Sequence, residues 1–418
     1  MHFLEGLKDG THGSFSRVDE GVPLLSAKDV RESGLRVGQG SQVTEEDANT
    51  IVANGFPRRG DVLLTIVGTV GRSAVYDLDE PLPFQRSVAF LRPRNILESR
   101  FLNYSLQSQS VQDQMRLATK VSAQPGLYLS EVAALDLLLP PLDEQQAISD
   151  YLDRETRRLD ALIAEQRGLI ATLRERRVAL ISHAVRRGLN DSIQLTGTGI
   201  DWLGEVPAHW EIRRLKYSME SVVPGVWGSD PKEDGTDVMC VRVADFDRPR
   251  LQVGAEIPTV RSVQRHDQVS RLLEPEDLLI EKSGGTAINP VGFVAMYMGP
   301  ADTAVYANFI ARMRPAEGQV PRYWLYAHAA SYATRLTARS VKQTTGIQNL
   351  DQTSYFDERF PFPPAAEQRE IAAYLDDQTS RIDSLIAESE DLIELSQERR
   401  AALITAAVTG QVDVRTAA

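Results

Sequence analysis

At 418 residues the chain exceeds the span of roughly 250 to 300 residues that one hydrophobic core organises, so at least two packing units are expected. Hydrophobic residues make up 42% and charged residues 25%, which excludes a mainly disordered chain. The net charge of -12 argues against a uniformly basic nucleic-acid binder, yet residues 361–418 alone hold 11 acidic against 5 basic groups, so the remainder is near neutral.

Cys240 is the sole cysteine, which rules out an intrachain disulfide or a cysteine zinc site and suits a reducing cytoplasm. No apolar run approaches the roughly 18 to 20 residues of a bilayer-crossing helix, and Met1-His2-Phe3-Leu4-Glu5 is too polar to open a signal peptide. A cytoplasmic protein is expected.

In chain order, residues 1–138 alternate short β-branched runs with Gly and Pro and then a helical stretch, Phe101 to Leu117, which predicts a mixed α/β domain. Pro140-Pro141-Leu142-Asp143-Glu144-Gln145 opens a pattern with no further Pro, and only Gly168, before Gly188. Proline ahead of the first turn is a helix start signal. Apolar residues seven apart (Leu152, Leu159, Leu173, Leu180, with Ile148, Leu162, Leu169 in a second row) mark a coiled-coil seam over 139–189. Some 40 helical residues extend about 60 Å. Residues 190–360 form a second α/β segment with a helical stretch from Arg322 to Leu336. A second Pro-Pro-x-x-Glu-Gln helix occupies 361–410, with seam residues Ile371, Leu375, Ile382, Leu385, Leu392 and Leu403, before a tail at 411–418.

The two helices are copies: residues 140–185 align without a gap on 363–408, with 25 of 46 positions identical. Ile163, Ile170, Ile386 and Ile393 widen the stripes, and Gln166 and Ser389 interrupt both at equivalent seam positions. Packing the copies against each other in antiparallel fashion buries both stripes and relates the halves by a local pseudo-two-fold axis, with the globular segments held apart. Those segments also repeat, more weakly. Gly60-Asp61-Val62-Leu63-Leu64 answers to Glu276-Asp277-Leu278-Leu279-Ile280, the run Ser87 to Pro93 to Asn308 to Pro315, and Ala123 to Leu127 to Gln343 to Ile347.

The order domain, Pro-Pro-x-x-Glu-Gln helix, domain, Pro-Pro-x-x-Glu-Gln helix resembles the specificity subunit of type I restriction-modification enzymes. So does the lead-in segment Gly199-Ile200-Asp201-Trp202-Leu203-Gly204-Glu205-Val206-Pro207-Ala208-His209-Trp210. No counterpart of it precedes Leu7-Lys8-Asp9, the stretch aligned with Leu215-Lys216-Tyr217. The resemblance implies two target recognition domains, each reading one half of a bipartite asymmetric DNA site. It also implies an intramolecular antiparallel coiled coil that spaces them and docks two methyltransferase subunits, with restriction (translocase-nuclease) subunits as further partners. The chain itself is then non-catalytic and without a cofactor, while S-adenosylmethionine, ATP and Mg belong to the partner subunits. Docking is expected at the helix starts, Glu144, Gln145, Glu367 and Gln368, where helix capping accounts for the same residues equally well.

Base contacts are sought in polar loops bearing side chains suited to base edges. In the first domain these are Thr11, His12, Ser14, Arg58, Arg59, Arg72, Gln85, Arg86, Lys120 and Gln124. In the second they are Trp227, Ser229, Lys282, Asn308, Lys342, Gln343, Thr344, Gln348 and Asn349. A solvated loop side chain is the ordinary reading of any one of them; Arg86 with Asn308, and Lys120 with Lys342, stand out because they occupy matching places in the two copies. No Asn-Pro-Pro-Tyr, Gly-x-Gly-x-x-Gly or phosphate-loop motif is present. Asp230-Pro231-Lys232 has the Asp-x-Lys form of half a nuclease metal site but no acidic strand residue before it, and no metal is expected. An adaptor whose globular ends bind protein rather than DNA is the alternative.

Overall fold

The computed structural model describes residues 3–32, 34–38, 40–119, 125–344 and 346–414. The chain divides into two compact units, residues 1–167 with 390–418, and residues 168–389. Each unit takes one globular segment and a half of each long helix, Leu142–Arg187 and Ala365–Val408.

The first unit is built on four antiparallel strands, β1 (Leu4–Asp9), β2 (Val62–Thr65), β3 (Ser73–Val75) and β4 (Val88–Pro93), in the order β1-β4-β2-β3. Val62, Leu63, Leu64 and Thr65 are all buried, because packing covers both faces of this central strand; the run is continuous rather than alternating. Arg92 on β4 forks onto Asp61, with Nε and Nη2 donating to the two carboxylate oxygens at 2.9 and 2.8 Å. The helical stretch after β4 is two helices, α1 (Ser99–Gln107) and α2 (Gln109–Ala118). The break is Ser108, whose backbone is extended (ψ 147°) and whose hydroxyl donates to the Ser105 carbonyl at 2.6 Å, the local competition that disfavours serine inside helices.

The second unit repeats this plan. Strands β5 (Met219–Pro224), β6 (Leu278–Glu281), β7 (Val294–Met296) and β8 (Ile310–Pro315) run in the order β5-β8-β6-β7, and short strands at Gln252–Val253 and Phe246–Asp247 extend the sheet. Arg314 forks onto Asp277 at 2.7 and 3.1 Å as Arg92 does onto Asp61. Helix α3 (Pro321–Ala333) starts on a proline, and Arg335, at φ 59°, turns the chain into a tighter 3₁₀ segment, Leu336–Ser340. The lead-in segment is a packing device. Glu211–Arg214 pairs with Arg359–Phe362, and Trp202 and Trp210 enter the core, the Trp202 ring packed at a tilt with its centre 4.8 Å from that of Phe360.

The registers correct two sequence alignments. Leu4 lies opposite Pro93 and Gly6 opposite Arg92; Met219 lies opposite Pro315 and Ser221 opposite Arg314, with the same bulge. Leu7 therefore corresponds to Val222, not to Leu215. Likewise the Leu127 amide donates to Ile66 O, and that of Leu350 to Lys282 O, each at 2.8 Å. Gly126 thus corresponds to Asn349, not Gly346: the loops before it differ in length, and a shared glycine misleads.

Each long helix is clamped to its globular segment in the same way. In the first unit Arg100 Nη1 and the Tyr104 hydroxyl meet Asp153 at 2.8 and 2.7 Å; in the second Arg322 Nε and the Tyr326 hydroxyl meet Asp376, both at 2.6 Å. Within each unit the helix halves run antiparallel. Asp160 pairs with Arg400 at 3.3 Å while the earlier Ile148 and Leu152 share a core with the later Ile404, Ala407 and Val408. Arg177 pairs with Asp383, also at 3.3 Å, while the later Ile181, Ala184 and Val185 meet the earlier Ile371, Ala372 and Leu375.

The seam is narrower than the stripe in the sequence. Its first row stands: Leu152, Leu173, Leu375 and Ile382 are buried, Leu159, Leu180 and Leu403 half-buried. The second row runs through Thr156, Ile163, Ile170 and Arg177, and through Thr379, Ile386, Ile393 and Arg400. Leu169, Leu385 and Leu392 are exposed and Leu162 is half-buried, because a seam follows alternating steps of three and four and these leucines fall one position off it. Ile148 and Ile371 are buried against the globular cores instead. Ser389, 5% exposed, satisfies its hydroxyl on the Leu385 carbonyl at 2.8 Å.

Candidate functional site

In both units the start of the long helix and the strand turns bearing Arg86 or Asn308 lie at opposite ends of the sheet. The helix start sits where β4 or β8 ends. Gln145 is fully buried; its amide donates to Ile96 O and Pro140 O at 2.9 and 2.8 Å, and its oxygen accepts from Glu98 N at 2.8 Å. Gln368, 1% exposed, repeats this with Pro363 O, Gln319 Oε1 and Val320 N. These glutamines are thus anchors inside their own units, each buried with its amide nitrogen and its oxygen engaged by neighbouring groups of the same unit. Glu367 is half-buried under the lead-in segment, accepting from Trp210 Nε1 at 2.9 Å and lying 2.6 Å from His209 Nε2, while Glu144 is half-buried on the first turn of its helix.

At the other end of the first sheet, β1 runs out beside the start of β4. Thr11 is bridged to Gln85, and the Arg86 amide donates to Thr11 O at 3.0 Å. The approach demands glycine at position 10: a Cβ there would sit 2.3 Å from Phe84 O and 2.4 Å from Gln85 O. Gly225 does the same in the second unit, 2.2 Å from Ala307 O and 2.4 Å from Tyr306 O. The exposed Arg86 and Asn308 follow at matched positions, since Val88 and Ile310 open equivalent strands.

This end of the first sheet gathers Thr11, His12, Ser14, Gln85, Arg86 and Arg72, the last on the turn after β2. His12 Nε2 lies 2.7 Å from Asp9 Oδ2. Arg58 and Arg59 do not join them. They precede β2, at the far end, where Arg59 pairs with Asp79 at 2.9 Å. Lys120 and Gln124 lie outside the described residues.

The second unit brings all its candidates to the corresponding end. Lys282 follows β6; Trp227 and Ser229 follow β5; Asn308 precedes β8. A three-stranded ribbon stands beside them: β9 (Val341–Thr344) pairs with β10 (Ile347–Leu350), placing Lys342, Gln343 and Thr344 opposite Asn349, Gln348 and Ile347, and β10 pairs with Ser283–Gly284. Several candidates already have partners. Ser283 Oγ donates to Asn349 Oδ1 at 2.7 Å, Gln348 Oε1 accepts from Val291 N at 3.4 Å, and Lys342 pairs with Asp351 at 2.6 Å, holding that carboxyl down to about 2. Asp230 of the Asp-x-Lys motif is bound by Arg261, whose guanidinium lies 4.6 Å from the Trp227 ring centre, and no group of side chains suited to a metal ion occurs among the described residues.

Two apolar side chains on this face, Phe309 at 47% and Ile347 at 50% exposure, carried no polar signal and were not anticipated. Their neighbours in sequence, Asn308 and Gln348, were the only pointers to them. No helix among the described residues is long and apolar enough to cross a membrane.

Comparison with known proteins adds to this geometry. Residues 16–170 match the type I restriction modification DNA specificity domain. The chain is 24% identical over 194 residues to the putative type I restriction enzyme MjaX specificity subunit of Methanocaldococcus jannaschii, covering 46% of this chain and 44% of that one. It is 22% identical over 401 residues to the EcoKI specificity subunit of Escherichia coli K12, covering 90% and 81%. The fold matches a chain in a structure of type I R-M system assembly and conformational transition, with a TM-score of 0.63, 19% identity, and 85% and 83% covered.

Proposed function

Starting from a type I restriction modification DNA specificity domain at residues 16–170, we propose that the whole chain is the DNA sequence-recognition subunit of a type I restriction-modification complex. Each unit reads one half of a bipartite, asymmetric site. The observation that carries this reading is the doubling of one framework beneath unlike loops. Strand order, the Arg–Asp fork, the close glycine and the helix clamp all recur, while Arg86 stands against Asn308 and Thr11 against Val226. Equal scaffolds carrying unequal base-edge chemistry suit a split target with different halves.

The chain carries no catalytic residues on this reading. Two methyltransferase subunits, using S-adenosylmethionine, dock along the helices, and ATP- and Mg-dependent restriction subunits join them. The helix surface outside the seam, including the exposed Leu169, Leu385 and Leu392, supplies apolar area for docking, with Glu144 at a helix start.

Electrophoretic mobility shift of a duplex by the full chain, with and without a methyltransferase subunit, tests the reading. A sequence-dependent shift is expected. Binding of the methyltransferase with no shift of any duplex would instead favour a protein-binding adaptor.

A further inference from the structure

Within the first unit a cleft of about 900 Å³ opens between the turn after β2 and the paired helices. Its walls hold Arg31, Arg72, Arg167 and Arg400 against two carboxylates, Glu32 and Asp160. Arg400 is committed: its side chain is 11% exposed and pairs with Glu32 at 2.9 Å and Asp160 at 3.3 Å. Four arginines against two carboxylates leave the cleft a net charge of +2, carried by Arg31, Arg72 and Arg167 on walls that also hold Gln109 and Gln112. Gln107 adds a buried amide nitrogen, Nε2, that has no hydrogen-bond partner.

The second unit supplies an internal control. Its smaller cleft, about 330 Å³, contains Arg177 and Asp383, the repeat equivalents of Arg400 and Asp160. Every arginine there is paired: Arg177 with Asp383 at 3.3 Å, Arg250 with Asp247 at 3.0 Å, Arg322 with Asp376 at 2.6 Å. Of these two clefts only the first unit's holds arginines without a carboxylate partner among the described residues, and Arg72 joins that cleft to the loop end bearing Arg86.

The geometry points to the Arg31–Arg72–Arg167 cleft as a binding site for the sugar–phosphate backbone of DNA, beside the bases that the first unit reads. It rests on the proposed function. Guanidinium groups spread along a groove engage successive phosphates, fixing position without carrying sequence information.

The test is a fluorescence-anisotropy titration of the full chain, alone and with a methyltransferase subunit, at several salt concentrations, on the duplex found methylated in the host and on a scrambled duplex. Each lost phosphate contact lowers the slope of log K against log salt by about 0.9, so Arg31→Gln with Arg167→Gln is expected to flatten it by about 1.8 while the ratio between the duplexes holds. Arg31→Lys with Arg167→Lys keeps the charge and the slope, which separates lost contacts from misfolding. Arg250→Gln leaves the slope as it was. A wild-type slope in the double Gln variant overturns the inference and leaves the proposed function standing, whereas failure of the wild-type chain to bind any duplex overturns both. Thermal protection by inorganic phosphate that the Gln variant loses, with the DNA slope unchanged, marks a small-anion site and also overturns the inference.

Discussion

Gln368→Met tests whether the doubled Glu-Gln motif anchors the helix or docks a partner. Methionine matches glutamine in length and shape, so the cavity left is small, but three hydrogen bonds disappear: to Pro363 O at 2.9 Å, from Val320 N at 3.0 Å and to Gln319 Oε1 at 3.1 Å. Each is worth about 0.5 to 1.5 kcal/mol, and the backbone groups left behind are desolvated, so a loss of about 2 to 4 kcal/mol is expected. Urea unfolding followed by tryptophan fluorescence reports it in the right place, because Trp202, Trp210, Trp227 and Trp324 all lie in the second unit. Far-UV circular dichroism follows both units. A shift below about 0.5 kcal/mol, with methyltransferase co-purification lost, would refute the anchoring argument and restore the docking one.

Four further outcomes are expected. Gly225→Ala drives a methyl group to 2.2 Å from Ala307 O, where backbone must move, and should destabilise the second unit by at least about 2 kcal/mol in the same urea experiment. His328 is fully buried with Nδ1 2.8 Å from the Tyr355 hydroxyl, and burial pushes its pKa down to about 3. The unfolded chain takes up that proton near 6.5 and the folded chain does not, so stability should fall by about 1.4 kcal/mol per pH unit as pH drops from about 6 towards 3. His328→Gln should remove that contribution to the urea midpoint. Asp383→Ala should cost about 1 kcal/mol more than Asp160→Ala, since Arg400 keeps Glu32 whereas Arg177 loses the one carboxylate paired with it, and paired urea titrations measure the difference. Arg86→Ala and Asn308→Ala should each weaken duplex binding by roughly 1 to 3 kcal/mol and relax the base preference in one half-site only, as read by competition with single-base variants.

Much of this fold is legible in the sequence because the repeat is. Identity between residues 140–185 and 363–408 shows both helices, and the heptad rows give their pairing. The seam runs one position from Leu162 and Leu169, through Ile163 and Ile170, and composition hides this because apolar residues stand side by side there while Thr156 and Arg177 do not look like seam residues. The loops were harder to place. Arg58 and Arg59 look like DNA contacts by composition, but the direction of β2 carries them to the end of the sheet away from Arg86, and direction is a property of strand pairing. Gln145 and Gln368 show the same limit. Their chemistry suits an interface, and only burial reveals that both are spent inside the chain.

The central claim is that two unlike readers on one repeated scaffold recognise a split sequence. Methylome sequencing of a host expressing the chain with its methyltransferase tests it most directly. Two short, different motifs separated by a fixed run of unspecified bases is the expected pattern; a continuous or palindromic methylated motif would contradict it.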